Sequence, residues 1–224
     1  ASLKRYDDSF NAWNRLPNDL KISKYKKLGE LLIGYMAGGG QFRHAARITA
    51  VLAESDAPKP VKGEVTNSGF ENEVKLKKAG QFEWQIGEGT EPQIGLSQTH
   101  KHTGNYGLWI VFNTFETADF RQVSQTVAVE PGSQYKFEAY YISALKTASK
   151  LKFEIVNPTT GLVLATTNEM LPNNQWSSLT TELAIPTDVD GIKIQLRREG
   201  CNGPACPVTG TLGLDDISIT RLQK

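Results

Sequence analysis

Residues 123–141, with the sequence VSQTVAVEPGSQYKFEAYY, decide the fold class of this protein. Val123, Val127 and Val129 lie an even number of residues apart, with small or polar residues between them. Tyr135 and Phe137 begin a second run of the same kind. An apolar residue at every second position is typical of a strand with one buried face, and the intervening Pro-Gly pair is a turn signal. The stretch therefore predicts two strands separated by a turn.

The same alternation recurs along the rest of the chain. Residues 151–155 and 192–196 each place an apolar residue at every second position, and Asn157-Pro158 and Thr160-Gly161 supply turns between runs. Many short strands without intervening helices are typical of an antiparallel sandwich. We therefore predict a mainly β fold, a jelly-roll β-sandwich, for residues 64–224.

Residues 1–57 have a helical period instead. Apolar side chains recur at spacings of three and four in two sets, which are Leu28, Leu31, Leu32 and Tyr35, then Phe42, Ala45, Ala46, Ile48 and Leu52. Each set predicts an amphipathic helix, and the glycines at 38–40 predict the turn between the two. Pro58 and Pro60 then end the helical regime. We predict a short N-terminal α-helical segment over 1–57, a linker over 58–63 and the sandwich over 64–224.

The composition excludes several classes of protein. Lys and Arg number 25 against 24 Asp and Glu, for a net charge of +1, so no global charge favours nucleic acid as a partner. No apolar run approaches the ~20 residues that span a bilayer. The chain starts at Ala1, without an initiator Met or a signal-peptide pattern, and we expect it to be a piece of a longer precursor.

The order of short motifs in the sandwich resembles that of a known family. It runs Asn67-Ser68-Gly69-Phe70-Glu71, Phe82-Glu83-Trp84, His102-Thr103-Gly104-Asn105-Tyr106-Gly107-Leu108, Val123-Ser124-Gln125-Thr126-Val127 with Pro131-Gly132, and Leu214-Asp215-Asp216-Ile217. This succession resembles carbohydrate-binding modules of the family 4, 9 and 22 type, which are built on the galactose-binding-like jelly roll. The resemblance covers residues 64–224 and implies a non-catalytic module that binds a polysaccharide or other glycan.

The helical segment resembles a known repeat only weakly. Leu28-Gly29 and the later alanines are similar to a tetratricopeptide-type helical hairpin, but the other positions of that pattern do not align. Two and a half helices cannot cover both of their own faces. The alternative hypothesis is therefore a structural or protein-interaction sandwich without sugar binding. In that case it would cap an upstream domain of the same precursor, a helical repeat array.

The resemblance also implies one structural Ca²⁺ at the edge of the sandwich. Its ligands would be Glu71 and either Asp215 or Asp216, together with backbone carbonyls around residues 101–104. Alternation places Asp215 on the same face as Ile217, which points into the core. A carboxylate that points inward needs a cation or hydrogen-bond donors to offset its desolvation, so we favour Asp215 as the calcium ligand. The competing interpretation is that these carboxylates accept backbone hydrogen bonds.

Modules of this type bind sugar on the outward residues of a concave sheet, by an aromatic plate and planar polar side chains. The carbohydrate-binding residues that we predict are Tyr140, Arg121, Glu154, Gln195, Arg197 and Trp109. The charged members are also compatible with cross-strand ion pairs, such as Glu154 with Lys193. Trp84 and Trp176 are assigned to the core. His100 and His102, two residues apart, are assigned to a surface loop.

Cys201 and Cys206 are separated by turn-forming residues, which predicts a disulfide across a small loop. A disulfide implies an oxidising compartment, so we expect an extracellular, periplasmic or cell-surface protein. The sequence contains no Gly-x-Ser-x-Gly elbow, no His-Glu-x-x-His and no carboxylate pair marked by its context, so it predicts no enzyme.

Overall fold

A computed structural model describes residues 5–114, 120–201 and 205–223. Its helices are α1 (Tyr6–Asn14), α2 (Asn18–Ile22), α3 (Lys26–Gly38) and α4 (Phe42–Leu52). The helices α3 and α4 form the predicted hairpin around the glycines at 38–40. No helix among the described residues is long and apolar enough to cross a membrane.

The rest of the described chain forms two antiparallel sheets. The strands are β1 (Gln85–Ile86), β2 (Gln93–Ser97), β3 (Gly107–Thr114), β4 (Val123–Ala128), β5 (Gln134–Ser143), β6 (Lys146–Thr147), β7 (Leu151–Val156), β8 (Val163–Thr166), β9 (Ser177–Ala184), β10 (Gly191–Arg198) and β11 (Val208–Arg221). Sheet A has the order β1-β4-β10-β7-β8, and sheet B has the order β2-β3-β11-β5-β9 with β6 also paired to β11. The predicted mainly β sandwich is confirmed.

The core lies between the two sheets. Phe137 of β5 and Phe153 of β7 meet there with their ring centroids 5.2 Å apart, and the alternating residues of β5 and β10 are buried as the sequence predicts. Strand β4 is different, because all six of its residues are buried. Its inner face joins the core, and its outer face is covered by other parts of the chain.

The helical segment covers part of the outer face of sheet A. Phe42 of α4 packs directly on Gly191 of β10. A Cβ at position 191 would lie 2.4 Å from the Phe42 ring, so only glycine permits this approach. Phe10, Trp13, Phe82 and Ala128 belong to the same apolar cluster, which joins the helices to the outer face of β4. The helices therefore pack on the sandwich through this second apolar cluster, which is separate from the core between the sheets. The segment from Pro58 to Trp84 runs between them, largely without regular structure.

The predicted apolar face of α3 is wrong in part. The buried positions of this helix are Gly29 and Met36, whereas Leu31 is 72% exposed and Leu28 is 45% exposed. A Cβ on Gly29 would lie 2.6 Å from both Trp13 and Leu52. The absence of a side chain at 29 lets these two large residues pack against the helix backbone. This rotates the predicted leucine stripe toward solvent.

Candidate functional site

The predicted calcium ligand Glu71 is held by a loop that crosses in front of it. Its Oε1 accepts hydrogen bonds from the backbone N–H groups of Asn105 (2.8 Å) and Tyr106 (3.1 Å), and its Oε2 accepts one from Asn105 Nδ2 (3.2 Å). The backbone donors of Tyr106 and Asn105 lower the pKa of the Glu71 carboxyl. The loop comes this close because residue 104 is glycine with φ of +60°, where a Cβ would lie 2.1 Å from Glu71 Oε1.

Asp215 is fully buried, but not in the core between the sheets. Leu214 of β11 lies opposite Tyr141 and faces the core, so Asp215, opposite Tyr140, is on the outer face of sheet B. A register shift between Asp215 and Ser218 then returns Ile217 to the core. The predicted alternation across these residues is wrong, because a bulge interrupts it.

The burial of Asp215 comes from the loop that covers it. Its Oδ2 accepts hydrogen bonds from the N–H groups of His102 (2.7 Å) and Thr103 (3.2 Å), and its Oδ1 accepts one from the N–H of Asp216 (2.8 Å). Burial raises the pKa of the Asp215 carboxyl in spite of these donors. Next to it, Asp216 Oδ2 lies 2.7 Å from His102 Nδ1, and Thr103 Oγ1 lies 2.9 Å from both Asp216 oxygens.

These contacts do not fit the expected calcium ion. All six carboxylate oxygens of Glu71, Asp215 and Asp216 already accept a hydrogen bond, mostly from N–H groups. Calcium needs six to eight oxygen ligands, and N–H groups that point at the same oxygens compete with it. No group of three or more His, Cys, Asp or Glu side chains that could hold a metal occurs among the described residues. The arrangement matches the competing interpretation, in which the carboxylates anchor a loop.

The same loop places two imidazoles on the outer face of sheet B. His100 stacks on Trp109 with 3.7 Å between ring centroids, and His102 stacks on Tyr140 at 3.9 Å. Trp176 packs against His102 at 5.7 Å in a tilted geometry. We call these five side chains the aromatic platform. Trp84, in contrast, is buried and donates its indole N–H to the Asn67 carbonyl.

Gly213 makes room for the indole of Trp109. Trp109 lies between Gly95 of β2 and Gly213 of β11 in the register of sheet B, and a Cβ on Gly213 would come within 3.1 Å of the ring. His100 is exposed, and Trp109, Tyr140, His102 and Trp176 are half-buried. Trp176 therefore does not lie in the core, contrary to the sequence-based assignment.

The structure does not bring the six predicted carbohydrate-binding residues together. Tyr140 and Trp109 lie on the outer face of sheet B, whereas Glu154, Gln195 and Arg197 lie on strands of sheet A. The prediction that they share one sheet is wrong. Alternation assigns a side chain to the inner or outer face of its strand, but it does not say to which sheet the strand belongs.

The other four predicted residues have different surroundings. Gln195 lies directly opposite Glu154 and donates a hydrogen bond from Nε2 to its Oε2 (3.2 Å). Arg197 lies opposite Lys152 and is exposed. Arg121 lies near the edge strand β1, where its Nε donates to the Gly87 carbonyl at 3.1 Å.

Sequence reasoning missed three members of the platform. Two of them, His100 and His102, belong to a surface loop as expected, but their rings lie on the sheet face. The signal for the pair was the spacing of two residues, which directs both rings to one side of an extended chain. Trp176 lies outside the regular strands, where no periodicity indicates its direction.

The predicted disulfide between Cys201 and Cys206 is present, with 5.4 Å between the Cα atoms. It lies in the connection from β10 to β11, and the Arg198 guanidinium donates a hydrogen bond to the Cys206 carbonyl. The disulfide closes this connection, and the Arg198 hydrogen bond links the end of β10 to it.

No protein-family model and no curated protein matches this sequence. Similar solved structures include a family 61 carbohydrate-binding module in complex with β-1,4-galactotriose, at 16% identity over 70% of this chain and 96% of the other, with a TM-score of 0.48. A family 4 carbohydrate-binding module has 15% identity over 70% of this chain and 99% of the other, with a TM-score of 0.49. The enzymatically active domain of tailspike protein 4 from bacteriophage CBA120 has 12% identity over 70% of this chain and 21% of the other, with a TM-score of 0.50. Carbohydrate-binding modules are thus among the structural neighbours, as the sequence resemblance implied, and at these identities the likeness is one of fold.

Proposed function

We propose that this protein is a non-catalytic carbohydrate-binding module of an exported, larger protein, and that its glycan lies on the aromatic platform. The observation that supports this proposal is the grouping of five aromatic and imidazole rings on the outer face of sheet B. A pyranose ring packs its apolar face on such rings while its hydroxyls bind nearby polar groups.

The exposed parts of the platform define where the sugar would lie. The imidazoles cover one face of Trp109 and one face of Tyr140, which leaves the exposed His100 and the half-exposed Trp176 as the contact surfaces. Glu138, two residues before Tyr140 on β5, supplies a carboxylate at the margin of this surface. Because the surface is open, it buries only part of a flexible sugar, and we expect weak affinity.

The outer face of sheet A supports a sugar site less well. Its β4 side is covered by the helical segment and by Gln81, which donates a hydrogen bond to Thr126. None of the outward strand residues described there is aromatic. Glu154 and Gln195 bind each other. The face therefore offers hydrogen-bonding groups without a stacking plate.

The surroundings of the nearby acids support binding without cleavage. Glycoside hydrolysis needs two carboxylates about 5–9 Å apart on either side of the scissile bond. Asp215 and Asp216, beside the platform, accept hydrogen bonds from the loop at 102–103, and Glu138 accepts one from Lys136 (3.3 Å). The disulfide supports an oxidising compartment, which is consistent with an extracellular, periplasmic or cell-surface location.

Affinity electrophoresis in gels that contain soluble galactan or xylan tests this proposal, with isothermal titration on the polysaccharide that retards the protein. We expect Trp176→Ala and His100→Ala to weaken binding by about tenfold each, or about 1.4 kcal/mol, through loss of stacking. Trp176→Phe keeps a ring and should bind nearly as well as the wild type. Gln195→Ala, on sheet A, is the matched control and should bind unchanged.

The outcomes separate the function from the location of the site. Loss of binding in Gln195→Ala with full binding in Trp176→Ala would move the glycan to sheet A and overturn the platform as its site. No retardation of the wild type by a broad panel of soluble polysaccharides would overturn the function itself.

A further inference from the structure

The leucine stripe that the sequence predicts as a packing face of α3 is largely uncovered by the residues that the structure describes, and of its members Tyr35 packs against the Tyr6 ring, with 4.8 Å between ring centroids. Leu31 is 72% exposed, Leu28 is 45% exposed and Tyr35 is 40% exposed, and Ile22, just before the helix, is 54% exposed. Single exposed leucines are ordinary, but Leu28, Leu31 and Tyr35 lie on one face of the same helix, and a group of exposed apolar side chains of this kind marks an interaction site. We call these three side chains the α3 stripe.

The shape of the stripe is suited to a helix. Leu28, Leu31 and Tyr35 lie at positions i, i+3 and i+7, which makes one ridge along α3. Gly34 and Gly38 lie beside this ridge, and a Cβ on either residue would meet no atom within 4 Å. The ridge is therefore bordered by a groove without side chains. A second helix can place its own side chains in that groove.

The charges around the stripe are of one sign. Lys27 is exposed on the first turn of α3, one residue before Leu28, and Lys24 and Lys26 are exposed at the start of the same helix. None of these three lysines forms an ion pair with a residue that the structure describes. Glu30 is the only acid between residues 20 and 38. A complementary surface therefore carries carboxylates on both sides of an apolar stripe.

We propose that the α3 stripe is a docking surface for an acidic amphipathic helix of a separate partner protein. The apolar face of that helix would pack on Leu28, Leu31 and Tyr35, and its acidic residues would pair with Lys24 and Lys27. In this mode of recognition, the apolar residues that contact the groove lie at positions i, i+3, i+4 and i+7 of the bound helix. The stripe lies on the helical segment, apart from the aromatic platform, so a partner and a glycan can be bound by different surfaces.

The test uses two synthetic amphipathic peptides that share one leucine face and carry either Glu or Lys at all other positions. Fluorescence anisotropy measures the binding of each labelled peptide to the whole protein. We expect the Glu peptide to bind at least about tenfold more tightly than the Lys peptide, and salt to weaken its binding. Leu31→Glu should reduce this binding by more than tenfold. Leu162→Glu is the matched control, because Leu162 is also exposed (62%) but lies in the β7–β8 connection.

A charge reversal gives a second, independent readout. The double variant Lys24→Glu with Lys27→Glu should lose affinity for the Glu peptide and gain affinity for the Lys peptide. Equal binding of both peptides, no binding of either, or no effect of Leu31→Glu would overturn the proposal. Sedimentation with phosphatidylglycerol vesicles that depends on Leu31 would instead assign the stripe to a membrane surface. Self-association that Leu31→Glu abolishes would assign it to a second copy of the chain. None of these results would alter the expected loss of glycan binding in Trp176→Ala.

Discussion

Asp190 joins the helical segment to the sandwich and offers the sharpest test of this arrangement. It immediately precedes β10, and its carboxylate accepts hydrogen bonds from the N–H groups of Phe42 (2.8 Å) and Arg43 (3.2 Å) at the start of α4. The residue before this helix, Gln41, provides no capping side chain of its own. A carboxylate 148 residues away in sequence therefore acts as the N-cap.

The expected loss on substitution follows from these two contacts. Removal of an N-cap side chain costs about 0.5–2 kcal/mol, and the favourable interaction of a negative charge with the helix N-terminus adds about 0.3–1 kcal/mol. Burial raises the pKa of Asp190 in spite of these two donors, so the cost of burying the ionised carboxylate exceeds what the donors and the helix N-terminus return to the charge. We therefore expect only the hydrogen-bonding part of the cap to remain, and Asp190→Ala to lower the free energy of unfolding by about 1 kcal/mol, or Tm by about 2–4 °C in a chain of this length.

Thermal unfolding followed by circular dichroism measures this loss. Asp188→Ala is the control, because Asp188 is exposed in the same loop and its removal changes the net charge equally. Asp190→Asn keeps one acceptor oxygen and should lose less than Asp190→Ala. An unfolding temperature of Asp190→Ala equal to that of the Asp188→Ala control would refute the cap and, with it, the docking of α4 on sheet A.

The pH dependence has a definite sign. The pKa of Asp190 is higher in the folded protein than its ordinary value of 3.8, so the folded state binds this proton more readily than the unfolded state does. Its contribution to stability therefore grows as the pH falls through the range just above 3.8. As the pH is lowered through that range, the free energy of unfolding of the wild type should increase relative to that of Asp190→Asn. A decrease would contradict the burial of this carboxylate.

Three further predictions concern the loop at 102–106. Gly104→Ala should cost about 2–3 kcal/mol, because a left-handed φ is strained for alanine and its Cβ would collide with Glu71. The control is Gly161→Ala, because Gly161 has a similar φ of +74° but open space around it, and its substitution should cost about 1 kcal/mol in the same unfolding assay. An equal cost at both sites would contradict the contact with Glu71. Exchange of calcium for a chelator should shift Tm by less than about 1 °C, and a rise of several degrees with calcium would show that the three carboxylates open to bind the ion. Because hydrogen bonds from the backbone lower the pKa of Glu71 below its ordinary value of 4.5, its stabilisation should be present above pH 4.5 and lost as the pH falls through the lower folded value. Glu71→Gln should flatten the acid limb of the stability profile, and an unchanged limb would count against these hydrogen bonds.

Several features of this protein could be read from residues that are close in sequence. The alternation in 123–129, 135–141, 151–155 and 192–196 predicted four strands, because side chains on a strand point to opposite faces in turn. The disulfide was predictable because turn residues bring Cys201 and Cys206 together within one loop. The triple glycine correctly separated two helices.

Other features depend on contacts that no local pattern contains. The six predicted sugar-binding residues divide between two sheets, because strand partners are chosen by the whole topology rather than by the period of any strand. The bulge after Asp215 moved that carboxylate from the expected core face to the outer face of sheet B, where a distant loop buries it. The leucine stripe of α3 turned outward because Trp13 and Leu52 fit against Gly29.

The sequence by itself determined which segments are helix or strand and which side chains alternate, since these depend on backbone geometry over a few residues. Only the tertiary structure decided which sheet each strand joins, which helix face remains exposed and which rings meet on the aromatic platform. Those choices depend on the mutual packing of segments far apart in the chain, as at positions 29 and 191, where a Cβ would collide with Trp13 and Leu52 or with Phe42.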